Sequence, residues 1–237
     1  MYNSLSKEHP ISSDLSIVAT HGFSELERRL RGVTLKDNPN IHPYLRSKIS
    51  LKEVAIAELH PCALYVLEEN LARVSLLREE FLKRGIDIFH LTTEKSIINY
   101  DFQGRLGCSL APPIVEVSED DNYLKIITDG LHRVSKARDS GEKTFSIVQI
   151  ENVAVPLPAL PVSWNEVDVC KEVPPSDQKR RYRFNTPEEI KLWQDKNIGR
   201  LLTGLPVRFE GDLSSQLWKT RDQTRGEDKY APWDFPG

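Results

Sequence analysis

The chain has 237 residues, a length that fits one sizeable domain with additions or two small domains. Its 39% hydrophobic and 28% charged residues are typical of a soluble globular protein, and a net charge of −3 excludes a global field that attracts nucleic acid. No apolar run approaches the roughly eighteen residues of a membrane span, and the N-terminus lacks the pattern of a secretory signal. Three widely spaced cysteines match no zinc or disulfide pattern, so we expect a cytoplasmic protein without a membrane partner.

The first predicted element is a short helix that begins with a capping box at Ser24 and Glu27 and ends at Gly32. A loop with Asn and Pro follows at 36–40. Alternating apolar residues at 53–59 predict a first core strand, ended by His60 and Pro61. Residues 1–49 are therefore predicted to be an N-terminal extension.

A helical stripe comes next in the chain. Its apolar residues recur at steps of three and four: Leu67, Leu71, Val74, Leu77, Phe81 and Leu82. The helix is predicted to end at Gly85, after two basic residues. Residues 86–91 are predicted to form a strand, and residues 101–111 to form a loop that contains Gly104 and Gly107.

Strands are predicted at 113–117 and 123–127 with a polar turn between them, which together make a hairpin. A short helix that stops at Ser140 and Gly141 follows, and then a strand at 145–150. Helices and strands alternate over short distances, so the fold class is predicted to be α+β.

Three prolines at 156, 158 and 161 mark the predicted boundary of a smaller C-terminal region, 156–237. Thr186 and Pro187 predict a helix at 187–197, and a short strand is predicted at 205–209. The basic run at 179–183 is interpreted as a solvated segment, because the acidic balance of the chain disfavours a nucleic-acid partner.

The segment Asp129-Gly130-Leu131-His132-Arg133 carries most of the functional signal, because it lies where a strand turns into a helix. A helix start offers unpaired N–H groups and a partial positive charge, and an arginine there matches phosphate geometry. Two alternatives stay open. Asp129 is either a helix N-cap or a ligand to Mg²⁺ or a hydroxyl, and His132 is either a phosphate donor or a structural histidine.

These residues resemble the ParB/sulfiredoxin fold over about residues 50–155. The resemblance rests on the hairpin at 113–127, the Asp129–Arg133 segment, and the short helix ending Ala137-Arg138-Asp139-Ser140-Gly141. It implies a nucleotide-binding core at 50–155, with the two flanking regions outside it.

Details within the segment separate the activities of that superfamily. Sulfiredoxins need a cysteine where this chain has Leu131, and partition proteins carry a Gly-Glu-Arg-Arg-like motif whose glutamate is missing here. Free-serine kinases carry Asp-Gly-His-His-Arg, which differs from this chain by one residue. The resemblance therefore implies a small-molecule kinase that moves a phosphoryl group from ATP or ADP, with Mg²⁺, to the hydroxyl of an amino-acid-like substrate.

By the same resemblance, Asp129 and His132 are the predicted catalytic residues, and Asp129 the predicted metal ligand. Gly130, Leu131, His132 and Arg133 are predicted to hold the nucleotide phosphates. The predicted substrate loop carries Glu58, His60, Glu68, Glu69, Arg105 and Ser109.

One feature departs from the kinases, which present a catalytic glutamate after the first strand, where this chain has His60-Pro61-Cys62-Ala63-Leu64. The alternative function is thus a non-catalytic nucleotide-responsive regulator or DNA-associated switch. The sequence leaves the oligomeric state open, a homodimer included.

Overall fold

The computed structural model describes residues 15–35, 39–103, 105–156 and 158–183, together with Thr186 and Glu188. The predicted strand at 205–209, and the predicted helix at 187–197 apart from Glu188, lie outside the described residues. The described residues form three α-helices: α1 (Phe23–Arg31), α2 (Glu68–Leu82) and α3 (Leu131–Asp139). They also form ten strands: β1 (Ser16–His21), β2 (Lys48–Ala55), β3 (Leu59–Pro61), β4 (Tyr65–Leu67), β5 (Ile97–Phe102), β6 (Arg105–Leu110), β7 (Ile114–Ser118), β8 (Leu124–Ile127), β9 (Thr144–Glu151) and β10 (Asp168–Cys170).

The main sheet has five strands in the order β2-β9-β7-β8-β3. The pairs β2–β9 and β7–β8 are antiparallel, whereas β7–β9 and β3–β8 are parallel. A three-stranded antiparallel sheet, β1-β5-β6, and a parallel pair, β4-β10, accompany it. The mixture of helices and mixed sheets confirms the predicted α+β class.

Side chains that alternate along the central strands contribute to two apolar clusters. Val115 of β7 and Ile147 of β9 join the cluster that contains Phe81 of α2 and Val134 of α3. Their neighbours Ile114 and Val148 join a second cluster with Leu26 and Leu30 of α1. Successive side chains of a strand point to opposite faces, so the sheet is covered on both sides by helices.

The predictions for α2, the β7–β8 hairpin, α3 and β9 are confirmed. The strand predicted at 86–91 is wrong, although Ile88 and Phe89 are fully buried there. The Asp87 carboxylate accepts a hydrogen bond from the Phe89 N–H (3.0 Å) and forms an ion pair with Arg78 (3.2 Å). Such a local side-chain contact offers the backbone a turn instead of a strand ladder.

The loop predicted at 101–111 is also wrong, because β5 and β6 pair as an antiparallel hairpin. Within this hairpin Gly107 adopts a φ of 68°, and the Gly107 N–H donates a hydrogen bond to the Asp101 carboxylate at 2.7 Å. The glycine pattern indicated a loop, but pairing of β5 with both β1 and β6 fixes an extended backbone. This hairpin places Tyr100 against Phe81 of α2.

Two boundaries near the N-terminus differ from the prediction. Helix α1 begins at Phe23 with Gly22 as its N-cap and has no side-chain cap, so the Ser24 capping box is wrong. The predicted first strand at 53–59 is broken by a 3₁₀ turn at Ile56–Glu58. His60 and Pro61, predicted to end that strand, belong to β3, which pairs with β8.

Residues 158–183, here named the C-terminal strap, run beside β3 and β4. The Val162 N–H donates to Pro61 O at 2.9 Å, and the Trp164 indole N–H donates to Leu59 O at 2.8 Å. Within the basic run, Arg181 pairs with Glu166 at 2.5 Å, and Arg183 pairs with Asp121. Carboxylates of the same chain therefore balance the charges of two arginines of this run.

Within the described part of the chain, no helix combines the length and the hydropathy required to cross a membrane.

Candidate functional site

The turn between β8 and α3 is fixed by hydrogen bonds and by a glycine. The Thr128 N–H and hydroxyl both donate to Ile114 O, at 2.9 and 3.0 Å. Gly130 is the N-cap of α3 with a φ of 86°, and a Cβ there would lie 2.8 Å from Pro113 Cβ. Only glycine combines this backbone conformation with so close a neighbour. Gly130 thus sets where α3 begins.

The starts of α2 and α3 converge at one edge of the main sheet. Strands β3 and β8 are parallel, so their carboxyl ends lie at the same edge. Helix α3 follows β8, and the short strand β4 connects β3 to α2. His132 of α3 accepts a hydrogen bond at Nε2 from the N–H of Leu67, the N-cap of α2 (3.0 Å). Neither helix has a side-chain cap among the described residues. Two helix starts at the carboxyl edge of parallel strands favour an anion.

His132 is a neutral imidazole in this arrangement. Burial, followed by the charges of Arg133 and Arg73, lowers the pKa of His132 to about 4. Because Nε2 accepts from Leu67, the ring proton is on Nδ1. The structure therefore gives His132 a role in joining the two helix starts, and its role toward phosphate stays a prediction.

We expect the protein to lose stability as the pH falls from about 6.5 towards 4, because the fold favours the neutral form of His132. The free energy of unfolding should decrease by about 1–2 kcal/mol between pH 7 and pH 5, since protons bind the unfolded chain more strongly. Urea unfolding at both pH values measures this loss. His132→Gln should remove most of the slope, whereas His90→Gln should keep it. An unchanged slope in His132→Gln would contradict the assignment.

Arg133 lies beneath the turn, with its side chain 2% exposed. One guanidinium nitrogen donates to Ala111 O, and another forms a 3.5 Å ion pair with Asp129. Its Nε has no hydrogen-bond partner among the described residues. The guanidinium thus ties the start of α3 to the segment before β7 and places a desolvated positive charge under it. The predicted contact of Arg133 with phosphate stays a prediction.

Asp129 is the carboxylate at this turn, and its side chain is 26% exposed. Its N–H donates to Ile114 O at 3.3 Å, and it is not the N-cap of α3, a position that Gly130 occupies. Within the described ranges no three His, Cys, Asp or Glu side chains form a metal-binding group. Mg²⁺ in nucleotide sites often takes one carboxylate together with phosphate oxygens, so Asp129 fits that donor set. Leu131, the first residue of α3, packs against the main core.

The predicted substrate loop is divided by the structure. Glu58 is exposed and pairs with Lys125 of β8, and His60 lies in β3, where burial lowers its pKa. The Ser109 hydroxyl donates to Asn99 Oδ1 at 2.7 Å. The contacts of Glu58 and Ser109 are with residues of β8 and β5 and not with the helix starts.

The other three loop residues lie near α2. Glu68 and Glu69 are exposed in its first turn, and Glu69 pairs with Arg73 at 2.6 Å. Arg105 of β6 acts on Arg73 through its charge, which contributes, after burial, to lowering the pKa of Arg73. Arg105 and Glu69 are therefore brought towards the same part of α2.

Three residues near this site were not predicted from the sequence: Asn70, Arg73 and Tyr100. Arg73 hydrogen-bonds Asn70 Oδ1 at 3.4 Å, and the amide of Asn70 lies 3.4 Å from His132 Nε2. Tyr100 packs its ring edge-on against Phe81 at 5.3 Å. The helical spacing of positions 70, 73 and 81 could have shown that these side chains share a face of α2. The position of Tyr100 depended on the hairpin that the sequence did not predict.

Comparison with known proteins agrees with the architecture. No curated protein and no solved structure gave a significant match to this chain. A family model described as the ParB CE domain matches residues 25–168, which is more than half of the chain. This span includes most of α1, all of α2 and α3, and the whole main sheet. The chain therefore belongs to the ParB CE domain family.

Proposed function

We propose that the convergent starts of α2 and α3 bind the phosphates of a nucleotide, and that the protein transfers a phosphoryl group from ATP or ADP to a hydroxyl of an amino-acid-like molecule. The observation that carries this proposal is the pair of helix starts joined by His132 above the buried Arg133. The starts of α2 and α3 offer N–H groups and two helix dipoles, and Arg133 adds a desolvated positive charge. All of these favour the binding of an anion at the place where the two helices start.

Each residue of the turn has a role under this proposal. Gly130 lets the backbone approach the phosphates closely, and His132 offers its Nδ1–H as a donor. Arg133 acts from beneath as a fixed positive charge. Asp129 holds Mg²⁺, which would neutralise phosphate charge, or accepts the proton of the attacking hydroxyl. Phosphoryl transfer needs mainly positioning and charge neutralisation, which such a turn supplies.

A nucleotide panel followed by a transfer assay tests the proposal. ATP or ADP with Mg²⁺ should raise the melting temperature, and labelled phosphate should appear on a hydroxyl amino acid. Asp129→Asn should keep nucleotide binding but reduce transfer by about 100-fold, as loss of a proton acceptor typically does.

Asp139→Asn, an exposed change in the last turn of α3, is the matched control and should leave transfer unchanged. Stabilisation by no nucleotide, or full transfer by Asp129→Asn, would contradict the proposed function.

A nucleotide-responsive regulator is the second candidate, and one observation favours it. The segment 62–64 between β3 and β4 offers Cys, Ala and Leu, so it supplies no carboxylate beside the helix starts. Nucleotide binding without transfer to any acceptor would support this candidate. Salt-dependent DNA binding would be expected only if Arg181 and Arg183 exchanged their present partners, Glu166 and Asp121, for phosphates.

A further inference from the structure

The strand that leads into α2 has its strand partner in the C-terminal strap. Strand β4 lies outside the five-stranded main sheet, and among the described residues it pairs only with β10 of the C-terminal strap. Leu67 is both the last residue of β4 and the N-cap of α2, and it lies opposite Cys170 in that pairing. An isolated pair of strands is marginally stable in water, so the position of the α2 start depends on how the C-terminal strap is anchored.

Backbone hydrogen bonds also tie the C-terminal strap to the chain just before β4. The Val162 N–H donates to Pro61 O at 2.9 Å, and the Asp168 N–H donates to Leu64 O at 2.8 Å. In the opposite direction, the Leu64 N–H donates to Lys179 O at 2.9 Å. The C-terminal strap therefore holds the connection between β3 and β4 at several points along its length.

Trp164 is a side chain of the C-terminal strap that contacts both β3 and α3. Its indole N–H donates to Leu59 O at 2.8 Å, and the Arg138 guanidinium carbon lies 5.4 Å from the centroid of its ring, within the range of a cation–π contact. The ring also packs against the main apolar cluster. A capping box formed by Ser163 and Glu166 fixes the 3₁₀ turn that carries it. One residue thus joins the C-terminal strap to the strand before β4 and to α3.

We propose that Trp164 is a positioning residue that holds the start of α2 within hydrogen-bonding distance of His132 on α3. The Leu67 N–H donates to His132 Nε2 at 3.0 Å, and this bond requires a fixed separation between the two helix starts. Trp164 contacts α3 directly and reaches the start of α2 through β3 and the β4–β10 pair. The consequence for ligand binding rests on the proposed function, whereas His132 reports on the geometry without any nucleotide.

The pKa of His132 distinguishes a positioning role from a purely structural one. Burial, followed by the charges of Arg133 on α3 and Arg73 on α2, lowers this pKa to about 4, and neither arginine belongs to the C-terminal strap. Separation of the two helix starts would expose the ring, lengthen its hydrogen bond from Leu67 and move Arg73 away, and all three changes raise the pKa. A substitution that weakened only the packing of the C-terminal strap would lower the free energy of unfolding and leave the pKa of His132 in the folded protein unchanged.

A pH titration of the full chain by NMR, without nucleotide, measures the pKa of His132, whose ring signals are those absent from the spectrum of His132→Gln. In Trp164→Leu we expect this pKa to rise by about one unit, because the substitution removes both the hydrogen bond to Leu59 and the contact with Arg138. Trp164→Phe keeps an aromatic ring and loses the indole N–H, so it should raise the pKa by about half as much. If Trp164→Leu does not fold, Trp164→Phe alone decides the outcome.

Val169→Thr is the matched control, because it changes an exposed side chain of β10 and keeps the backbone pairing with β4. Its His132 pKa should equal that of the wild-type protein. Hydrogen exchange of the Leu67 amide should be about tenfold faster in Trp164→Leu than in Val169→Thr, since the N–H loses its acceptor. A wild-type His132 pKa in both Trp164 variants, or unchanged exchange at Leu67, would overturn the positioning role.

Nucleotide titration of the same variants separates this inference from the proposed function. ATP or ADP should bind Trp164→Leu about fivefold more weakly than Val169→Thr, because the two helix starts no longer converge on one anion. A raised His132 pKa in Trp164→Leu, together with no nucleotide binding by the wild-type protein, would leave the positioning role standing and refute only the nucleotide site. An unchanged pKa with undiminished nucleotide binding would overturn the positioning role and leave the nucleotide site standing.

Discussion

Gly130→Ala should lower the free energy of unfolding by about 2–4 kcal/mol and abolish nucleotide binding. A methyl group at this position would lie 2.8 Å from Pro113 Cβ and 2.9 Å from an Arg133 guanidinium nitrogen. The backbone φ of 86° adds a strain that any L-residue meets. Relief of the contact requires the turn to move, and the start of α3 moves with it. Chemical denaturation and nucleotide titration of the variant measure the two effects.

Gly141→Ala is the matched control, because Gly141 follows the same helix with a φ of 82° and would place its Cβ in open space. It should cost only the backbone strain, about 1 kcal/mol, and keep nucleotide binding. The difference between the two variants isolates the contact with Pro113 and Arg133. Equal destabilisation by both substitutions would show that the close contact at Gly130 has no energetic weight.

Arg133→Met is expected to destabilise the protein by about 2–4 kcal/mol, because it leaves Ala111 O buried without its donor and removes the ion pair of Asp129. Methionine keeps much of the volume, so the loss reports charge and hydrogen bonding. Arg133→Lys should not restore stability, since an ammonium group cannot reproduce the planar fork that reaches both partners. Urea unfolding measures each variant.

Lys136→Met, on the same helix, controls for loss of a cation and should change stability by less than about 0.5 kcal/mol. The double variant Arg133→Met, Asp129→Asn should be less destabilised than the sum of the single variants, because the two side chains contact each other. A neutral effect of Arg133→Met would mean that the buried guanidinium contributes nothing to the turn.

Local sequence was sufficient wherever a short-range signal and the fold agreed. The apolar stripe of α2, the polar turn between β7 and β8, and the glycine after α3 each act over a few residues, and those elements are confirmed. The strand-to-helix turn of the candidate site was predicted for the same reason, because a strand followed by Asp-Gly and a helix indicates a turn with free N–H groups. The signal lies in adjacent residues.

The features that were not predicted from the sequence depend on pairing between residues far apart in the chain. Residues 97–110 contain two glycines and were predicted in part as a loop, yet β1 and β6 pair with β5 on either side. Glu116 of β7 is buried, and the Tyr44 hydroxyl donates a hydrogen bond to its carboxylate at 2.6 Å. Burial and the neighbouring Glu116 carboxylate raise the pKa of Tyr44. The local sequence around Tyr44 does not indicate that Glu116 is its partner, and the sequence around Glu116 does not indicate Tyr44.

The sequence by itself determined the α+β class, the main helices and the turn at Asp129–Arg133, because periodicity and glycine conformation act locally. Only the tertiary structure decided that Arg133 lies beneath that turn, that His132 joins the starts of α2 and α3, and that Tyr100 packs against Phe81. Those arrangements depend on which strands pair and which helix faces are buried. Burial and charge are properties of the assembled neighbours, and a one-dimensional pattern does not contain them.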